Sequence, residues 1–327
     1  MSWSKVHSDP DVYEVRVPFQ NVSTSATNCF VVMDGGEALV VDTGAPTEEG
    51  AAVLDAALDE IGVERSRATF FLTHLHLDHA GLVDRVAPEG ATVLVGSADF
   101  DAMRASGASA YERMRRLLAS EGVSLSDASG YARHSVEMPL FDPTRVDVRF
   151  AVEGDEVPVG GRRLRVVEVP GHTPGSLALF DPASRILFGG DHVLFVISPG
   201  IALFPDGRDG LQAYLDSLEK VRSLGCSRLF VAHGDERDDF EARIDWLRAH
   251  HLGRLEEAQG IVRSCPGLSG EEVVRSIKWN VPFERWEDIS FMQRWCIVME
   301  GLVFLNHLVD RGLVRRDEDE AGVRRYF

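Results

Sequence analysis

Cysteine is scarce in this 327-residue chain, which has four cysteines and no Cys-x-x-Cys pair. Such widely separated thiols favour neither a disulfide framework nor a zinc knuckle, because both need closely paired cysteines. The first residues also lack the apolar run of a secretory signal peptide. We therefore expect free thiols, a reducing compartment and a cytoplasmic location. The four residues are Cys29, Cys226, Cys265 and Cys296.

Basic residues and long apolar runs are also in short supply. The chain has 34 Lys and Arg against 52 Asp and Glu, a net charge of −18. This charge repels polyanions, so we expect no nucleic-acid partner and no anionic membrane, although a local basic patch is still compatible with it. No run approaches the roughly 18 apolar residues of a membrane-spanning helix. A small-molecule substrate is the expected partner.

The densest group of chemically active side chains lies in the stretch 73–81, Thr-His-Leu-His-Leu-Asp-His-Ala-Gly. The apolar segment 69–72 before it predicts a buried strand, and a short helix is expected to open at Ala80. The first two histidines are two residues apart, so they point the same way in an extended segment. A single histidine is usually packed or solvated, but this loop can supply ligands to two adjacent metal ions. Its candidates are His74, His76, Asp78 and His79.

Further polar side chains lie where other predicted strands end. One is in the turn Pro-Gly-His-Thr-Pro-Gly, where glycine allows close backbone approach and proline stiffens the chain. The others follow Gly-Gly and Val-Ala at two later strand ends. Asp42 ends the predicted strand 38–42 and either braces the metal loop or caps a turn, and the sequence favours neither role. The three distant candidate ligands are His172, Asp191 and His233.

Two segments depart from the pattern of strands and ligand-bearing loops described so far. Residues 97–145 carry three helical patterns and are predicted to be an insertion in a catalytic domain spanning 1–235. Residues 236–327 read as helix, short helix, helix and hairpin, which is typical of a winged-helix-like C-terminal domain. The loop 194–210 is rich in Gly, Pro and apolar residues. It is predicted to be either a wall or lid of a pocket, or a structural crossover.

The motif His-x-His-x-Asp-His, followed by a distant His, Asp and His, resembles the metallo-β-lactamase superfamily over about residues 12–235. The resemblance implies an α/β fold, an αββα sandwich of two mixed sheets with helices outside. It also implies two divalent metal ions, with zinc favoured and iron or manganese as competitors. The implied ligands are His74, His76 and His172 for one ion and Asp78, His79 and His233 for the other, with Asp191 bridging both.

The residues around these ligands indicate a branch of that superfamily. Asp191 stands where the broad dizinc β-lactamases usually carry Cys, which argues against lactamase activity. The contexts Gly-His-Thr-Pro-Gly-Ser and Gly-Gly-Asp resemble glyoxalase II and its acyl-thioesterase relatives, although a basic glutathione-binding cluster is not found. The run 191–194 and the winged-helix-like tail look most like the lactamase-like-2 branch. That branch includes acyl-carrier-protein thioesterases and a mitochondrial-type endoribonuclease.

We therefore expect a dinuclear hydrolase of an ester or acyl thioester, in which a metal-bridging hydroxide attacks the carbonyl. Asp78 would orient that nucleophile. His192 is a candidate for proton transfer or for a second layer around the metals, and a purely structural role is the commoner alternative. Three rivals stay open, namely a phosphodiesterase or ribonuclease, an iron-dependent sulfur oxygenase, and a non-enzymatic winged-helix regulator. The tail can also serve packing or formation of a homodimer.

Overall fold

The computed structural model forms two compact units, which are described separately. Unit 1 comprises Met1–Arg104, Pro139–Pro199 and Ser217–Ile244, and unit 2 comprises Ala105–Met138, Gly200–Asp216 and Asp245–Phe327. These two compact units do not follow the predicted domain boundary after residue 235. That boundary stays a prediction. The residues that the structure describes are 3–19, 24–105, 107–135, 140–204, 206–281 and 284–327.

The described strands of unit 1 form two mixed sheets. The first sheet has the order β1-β2-β3-β4-β5-β6-β7, antiparallel from β1 to β4 and parallel from β4 to β7. Its strands are β1 (Trp3–Ser8), β2 (Asp11–Pro18), β3 (Ala26–Asp34), β4 (Glu37–Val41), β5 (Thr69–Phe71), β6 (Thr92–Val95) and β7 (Asp147–Phe150). The second sheet has the order β12-β11-β10-β9-β8, and only its β11–β12 pair is parallel among the described strands. Its strands are β8 (Glu156–Val159), β9 (Arg162–Glu168), β10 (Leu177–Asp181), β11 (Ile186–Phe188) and β12 (Arg228–Phe230).

The two sheets pack face to face through an apolar core. Phe30 of β3 lies 5.4 Å from Phe188 and 5.1 Å from Phe230, measured between ring centroids. The opposite face of the first sheet is covered by α1 (Glu48–Ile61), whose Leu54 and Leu58 are fully buried in a second apolar cluster. Successive side chains of β3 and β4 therefore point alternately to the two faces of the first sheet, and both faces are packed. These layers confirm the predicted α/β sandwich.

The predicted helices are present, with some differences in their bounds. Thr47 caps α1, accepting the Gly50 N–H at 2.9 Å. Near the candidate ligands, a helix begins at Leu77 and not at Ala80 as expected, so that motif residues occupy its first turn. The remaining helices are α2 (Leu77–Ala80), α3 (Val83–Val86), α4 (Ser97–Arg104), α5 (Ala108–Ser120), α6 (Leu125–Ser135), α7 (Gly210–Ser223), α8 (Phe240–Ser264), α9 (Gly270–Ser276) and α10 (Phe291–Asp310).

Unit 2 joins the helical segment after α4 to the C-terminal residues. Glu121, which follows α5, is buried and accepts hydrogen bonds at 2.8 Å from the Tyr326 hydroxyl and from Arg324 Nη1. A paired, buried carboxylate of this kind holds the two segments together. A small sheet in the order β13-β15-β14 completes the unit, and its winged-helix identity stays a prediction. Its strands are β13 (Leu268–Ser269), β14 (Arg316–Glu318) and β15 (Arg324–Tyr326).

Within the described ranges, none of the helices combines the length and the apolar character that crossing a bilayer requires.

Candidate metal centre

The candidate ligands lie on loops that follow four strands of unit 1. The motif loop follows β5, and the loops carrying Asp191 and His233 follow β11 and β12, which are parallel neighbours. His172 lies on the connection from β9 to β10. Parallel strands end at the same edge of a sheet, so loops that are far apart in sequence converge there. The structure brings all seven predicted ligand residues together at this edge.

Three histidines form the first group of candidate ligands. His76 Nδ1 lies 2.9 Å from His74 Nε2 and 3.1 Å from His172 Nε2. Burial lowers the pKa of His74 well below its ordinary value. Burial, together with the neighbouring His172, lowers the pKa of His76 to about 3. His74 and His76 are therefore neutral at physiological pH, which is the form of imidazole that binds metal ions.

Asp78, His79 and His233 form the second group. His233 Nδ1 donates to the Ala26 carbonyl oxygen at 2.8 Å, and His79 Nδ1 donates to Asp42 Oδ2 at 2.8 Å. Because each Nδ1 is engaged by an oxygen outside the group, each Nε2 faces the centre. His233 Nε2 lies 3.5 Å from Asp78 Oδ2.

Asp191 lies between the two groups and reaches both. Its Oδ1 is 3.4 Å from His233 Nε2 and 3.5 Å from His79 Nε2, and its Oδ2 is 3.6 Å from His172 Nε2. One carboxylate oxygen therefore faces the second group while the other faces the first. This is the placement expected of a carboxylate shared by two ions.

The imidazoles of the second group differ from those of the first in their protonation. Burial opposes a proton on His233, but Asp191 and Asp78 outweigh it and raise the pKa of His233 to about 10. Burial likewise opposes a proton on His79, and Asp191 and Asp42 raise its pKa well above the ordinary value. Burial raises the pKa of Asp78, but His233 and His79 more than offset it and bring the value to about 2. The carboxylates of this group thus attract positive charge, in the form of protons or metal ions.

The residues present fit divalent metal ions. Among the described residues, His79 Nε2 and Asp191 Oδ1 have no hydrogen-bond partner although both atoms are buried. Buried polar atoms are nearly always paired, and an ion at this position would satisfy both. Imidazole nitrogens and carboxylate oxygens are the donors that zinc prefers, and iron and manganese accept the same set.

Asp42 braces the second group, which resolves the ambiguity that the sequence left open. Its side chain is 2% exposed. Oδ1 accepts the Thr73 N–H at 2.8 Å, and Oδ2 accepts the Thr73 hydroxyl and His79 Nδ1, both at 2.8 Å. Asp42 adopts a φ of 60°, a conformation that Asp tolerates better than most residues. Its carboxylate therefore orients one ligand directly and holds the start of the motif loop.

Two other buried residues stand beside the centre. His192 is 2% exposed and belongs to none of the candidate ligand groups among the described residues. Burial lowers its pKa to about 3, although a hydrogen bond with the Ser217 backbone acts in the opposite direction. Asp99 of α4 touches both ligand-bearing loops of the first group. Sequence reasoning missed Asp99, because an aspartate in the first turn of a helix is an ordinary feature.

The comparisons with known proteins agree with this geometry. A family model described as metallo-beta-lactamase superfamily matches residues 22–233, more than half of the chain. This protein belongs to the metallo-beta-lactamase superfamily and is a hydrolase of that superfamily, whose members typically bind metal ions.

The chain is similar to three proteins that bear on its branch. It is 24% identical over 258 residues to a beta-lactamase-like protein 2 homolog of Caenorhabditis elegans, covering 79% of this chain and 72% of that protein. It is 26% identical over 240 residues to the atrochrysone carboxyl ACP thioesterase of Emericella nidulans, covering 73% of this chain but only 61% of the thioesterase. A metallo-beta-lactamase family protein from Thermus thermophilus superposes with a TM-score of 0.77 at 26% identity, covering 97% of this chain and 98% of that one.

Proposed function

We propose that this protein is a dinuclear metal-dependent hydrolase that acts on an ester or an acyl thioester. The observation that carries the proposal is the position of Asp191, with Oδ1 3.4 Å from His233 Nε2 and Oδ2 3.6 Å from His172 Nε2. A carboxylate that reaches both ligand groups supports two ions held close together, with Asp191 as the bridge. Zinc is the favoured metal for this donor set, with iron and manganese as the alternatives to test.

The chain supplies a charged group for orienting water at this centre. Divalent ions bound there would supply an activated water at neutral pH and a positive centre for a developing oxyanion. Asp78, whose pKa of about 2 keeps it ionised at neutral pH, lies 3.5 Å from His233 Nε2. Its side chain is 22% exposed, so water can reach it. Asp78 would accept a hydrogen bond from the attacking water and fix its direction.

Two properties of the chain support an apolar acyl substrate. Leu77, which lies between the ligand candidates His76 and Asp78 in the sequence, is 54% exposed, so the motif itself presents an apolar side chain to the solvent. Apolar walls with a few polar groups are the usual lining of a small-molecule site. The net charge of −18 repels a polyanionic RNA or DNA substrate. The thioesterase name of the Emericella nidulans relative agrees with the acyl thioester.

The direct test is a panel of thioesters, esters, lactones and phosphodiesters, assayed with Zn, Mn and Fe. We expect hydrolysis of thioesters or esters with apolar acyl groups and weak cleavage of single-stranded RNA at physiological salt. His76→Ala should abolish turnover. His7→Ala is the matched control, because His7 belongs to none of the ligand groups among the described residues. Efficient cleavage of RNA without turnover of any thioester, ester or lactone would replace this function with a nuclease.

Elemental analysis of metal-replete protein tests the dinuclear centre separately. We expect close to two ions per chain, because two ligand groups share one carboxylate. His172→Ala should weaken one site, His233→Ala the other, and Asp191→Ala both. One ion per chain in the metal-replete protein would contradict the dinuclear arrangement.

A further inference from the structure

Asp99 is a buried carboxylate that contacts two ligand-bearing loops at once. The residue is 5% exposed, and it lies in α4, directly after β6. Oδ2 accepts the Leu75 N–H of the motif loop at 3.1 Å. The same Oδ2 accepts the Thr173 hydroxyl at 2.8 Å, and Oδ1 accepts the Gly175 N–H at 2.7 Å.

These contacts fall on the immediate neighbours of the first ligand group. Leu75 lies between His74 and His76, and Thr173 follows His172. A displacement of either neighbour moves the backbone that carries a ligand. Hydrogen bonds to a buried carboxylate are stronger than those between neutral groups, so Asp99 sets the distance between the two loops.

The backbone around Asp99 is closely packed. A Cβ on Gly175 would lie 2.6 Å from the Asp99 nitrogen, and a Cβ on Gly96 would lie 2.1 Å from the Gly175 carbonyl oxygen. Both distances are shorter than real Cβ contacts, so the start of α4 approaches the loop 171–176 backbone to backbone. The carboxylate therefore meets its partners from a fixed position.

The fold itself does not depend on Asp99 to join these loops. The Leu177 N–H donates to the Thr73 carbonyl oxygen at 2.7 Å, which links the start of the motif loop after β5 to the first residue of β10, where the loop 171–176 ends. Asp99 acts further out, beside the ligands. The second ligand group has its own buried carboxylate in Asp42, which contacts His79 directly.

We infer that Asp99 is a positioning residue that sets the metal affinity of the three-histidine group, His74, His76 and His172, separately from that of the second group. This inference rests on the proposed dinuclear centre. Each ligand group then has its own supporting carboxylate, Asp99 for the three-histidine group and Asp42 for the second group. Loss of Asp99 should therefore weaken the ion of the first group only, and loss of Asp42 the ion of the second group only. Loss of a hydrogen-bonding partner behind metal ligands typically costs about 10–100-fold in metal affinity.

The test measures zinc affinity by competition with a chromophoric chelator, in two backgrounds that each keep one ligand group. In His233→Ala, which retains the three-histidine group, Asp99→Asn should weaken the remaining ion by about 10–100-fold. In His172→Ala, which retains the second group, the same change should leave the remaining affinity unaltered. Equal weakening in both backgrounds, or none in either, would overturn the inference.

Substitutions of Thr173 repeat the test without altering the carboxylate. Thr173→Val removes the hydroxyl that donates to Asp99 and should weaken the same ion by a smaller factor, whereas Thr173→Ser should restore wild-type affinity. If Asp99→Asn fails to fold, this pair decides the question, and a Thr173→Val protein with unchanged affinity refutes the inference. Asp181→Asn is the matched control, because Asp181 is a 1% exposed carboxylate that accepts the Ala183 N–H outside the ligand loops.

The outcomes separate this inference from the proposed function. Wild-type protein that does not bind two ions would refute the dinuclear centre and the inference with it. Two-ion binding combined with an unselective effect of Asp99→Asn would refute the inference alone.

Discussion

Replacement of Asp42 by Asn should weaken metal binding through the tautomer of His79. In the structure Asp42 Oδ2 accepts from His79 Nδ1 at 2.8 Å, and Oδ1 accepts the Thr73 N–H at 2.8 Å. An asparagine that keeps its oxygen on the Thr73 N–H must turn its NH₂ group toward His79. Nδ1 then has to accept, so the one proton that the ring keeps when a metal ion binds can no longer stay on Nδ1 and is held on Nε2, the atom that faces Asp191 at 3.5 Å.

The size of this effect follows from the contacts that change. Metal ions bind only an unprotonated nitrogen, so the shifted proton opposes binding at His79 Nε2. Loss of a partner of this kind costs about 10–100-fold in metal affinity, or about 1.4–2.7 kcal/mol at 1.36 kcal/mol per tenfold. The alternative rotamer sets the NH₂ group against the Thr73 N–H, and a buried donor left unpaired costs about 1–3 kcal/mol. Both rotamers therefore carry a penalty of similar size.

The assay is chelator competition on metal-free protein, with urea unfolding of the same samples. We expect Asp42→Asn to weaken an ion by about 10–100-fold while unfolding remains cooperative. Asp181→Asn controls for the loss of a buried carboxylate elsewhere in unit 1. Wild-type affinity for both ions in a folded Asp42→Asn protein would refute the reasoning about the tautomer.

Three further predictions concern turnover, pH and packing. Asp78→Asn should keep the fold but lower turnover by about two or more orders of magnitude, because positioning and electrostatics supply much of the rate, and near-normal turnover would reject its role. In metal-free protein the pKa of His233 is raised from 6.5 to about 10. The stability that the protonated ring contributes is therefore complete below pH 6.5 and is lost as the pH rises through 10. The free energy of unfolding, measured with denaturant, should therefore fall less between pH 7 and pH 10 in His233→Gln than in wild type. Gly175→Ala places a Cβ 2.6 Å from the Asp99 nitrogen and should cost about 1–3 kcal/mol in urea unfolding. Gly253→Ala, where a Cβ meets nothing within 4 Å, should cost nothing, and equal effects of the two changes would contradict the packing argument.

The sequence alone determined the elements that carry the centre. The apolar segment before the motif predicted a strand over 69–72, and the structure has β5 at Thr69–Phe71. The residues from Thr47 to Gly50 resemble a helix start, and the apolar positions from Val53 to Ile61 have helical spacing, which predicts a helix here; α1 spans Glu48–Ile61. These predictions succeed because hydrophobic periodicity and capping residues are local signals, which depend only on residues that are close together in the sequence.

Local sequence patterns did not predict elements that are defined by their exposure to solvent or by pairing with a neighbouring strand. β1 (Trp3–Ser8) and β8 (Glu156–Val159) were not predicted, and both lie at the edge of a sheet. β1 buries few side chains, so its alternation is weak. β8 does alternate, but it has only four residues and carries a proline, which weakens the signal of a strand. The start of α2 at Leu77 was also missed, because the polar motif hides the helical pattern.

Only the tertiary structure decided which polar residues act together. The spacing within 73–81 is visible in the sequence, but the approach of His172, Asp191 and His233 to it depends on the order of the strands in two packed sheets. Asp99 has no recognisable motif, since its importance lies in contacts with loops that begin more than 20 residues before it and more than 70 after it. Hydrophobic periodicity predicts which side chains of a helix or strand are buried. The hydrogen bonds by which one carboxylate joins two loops form only once the folded chain has brought the partners within hydrogen-bonding distance.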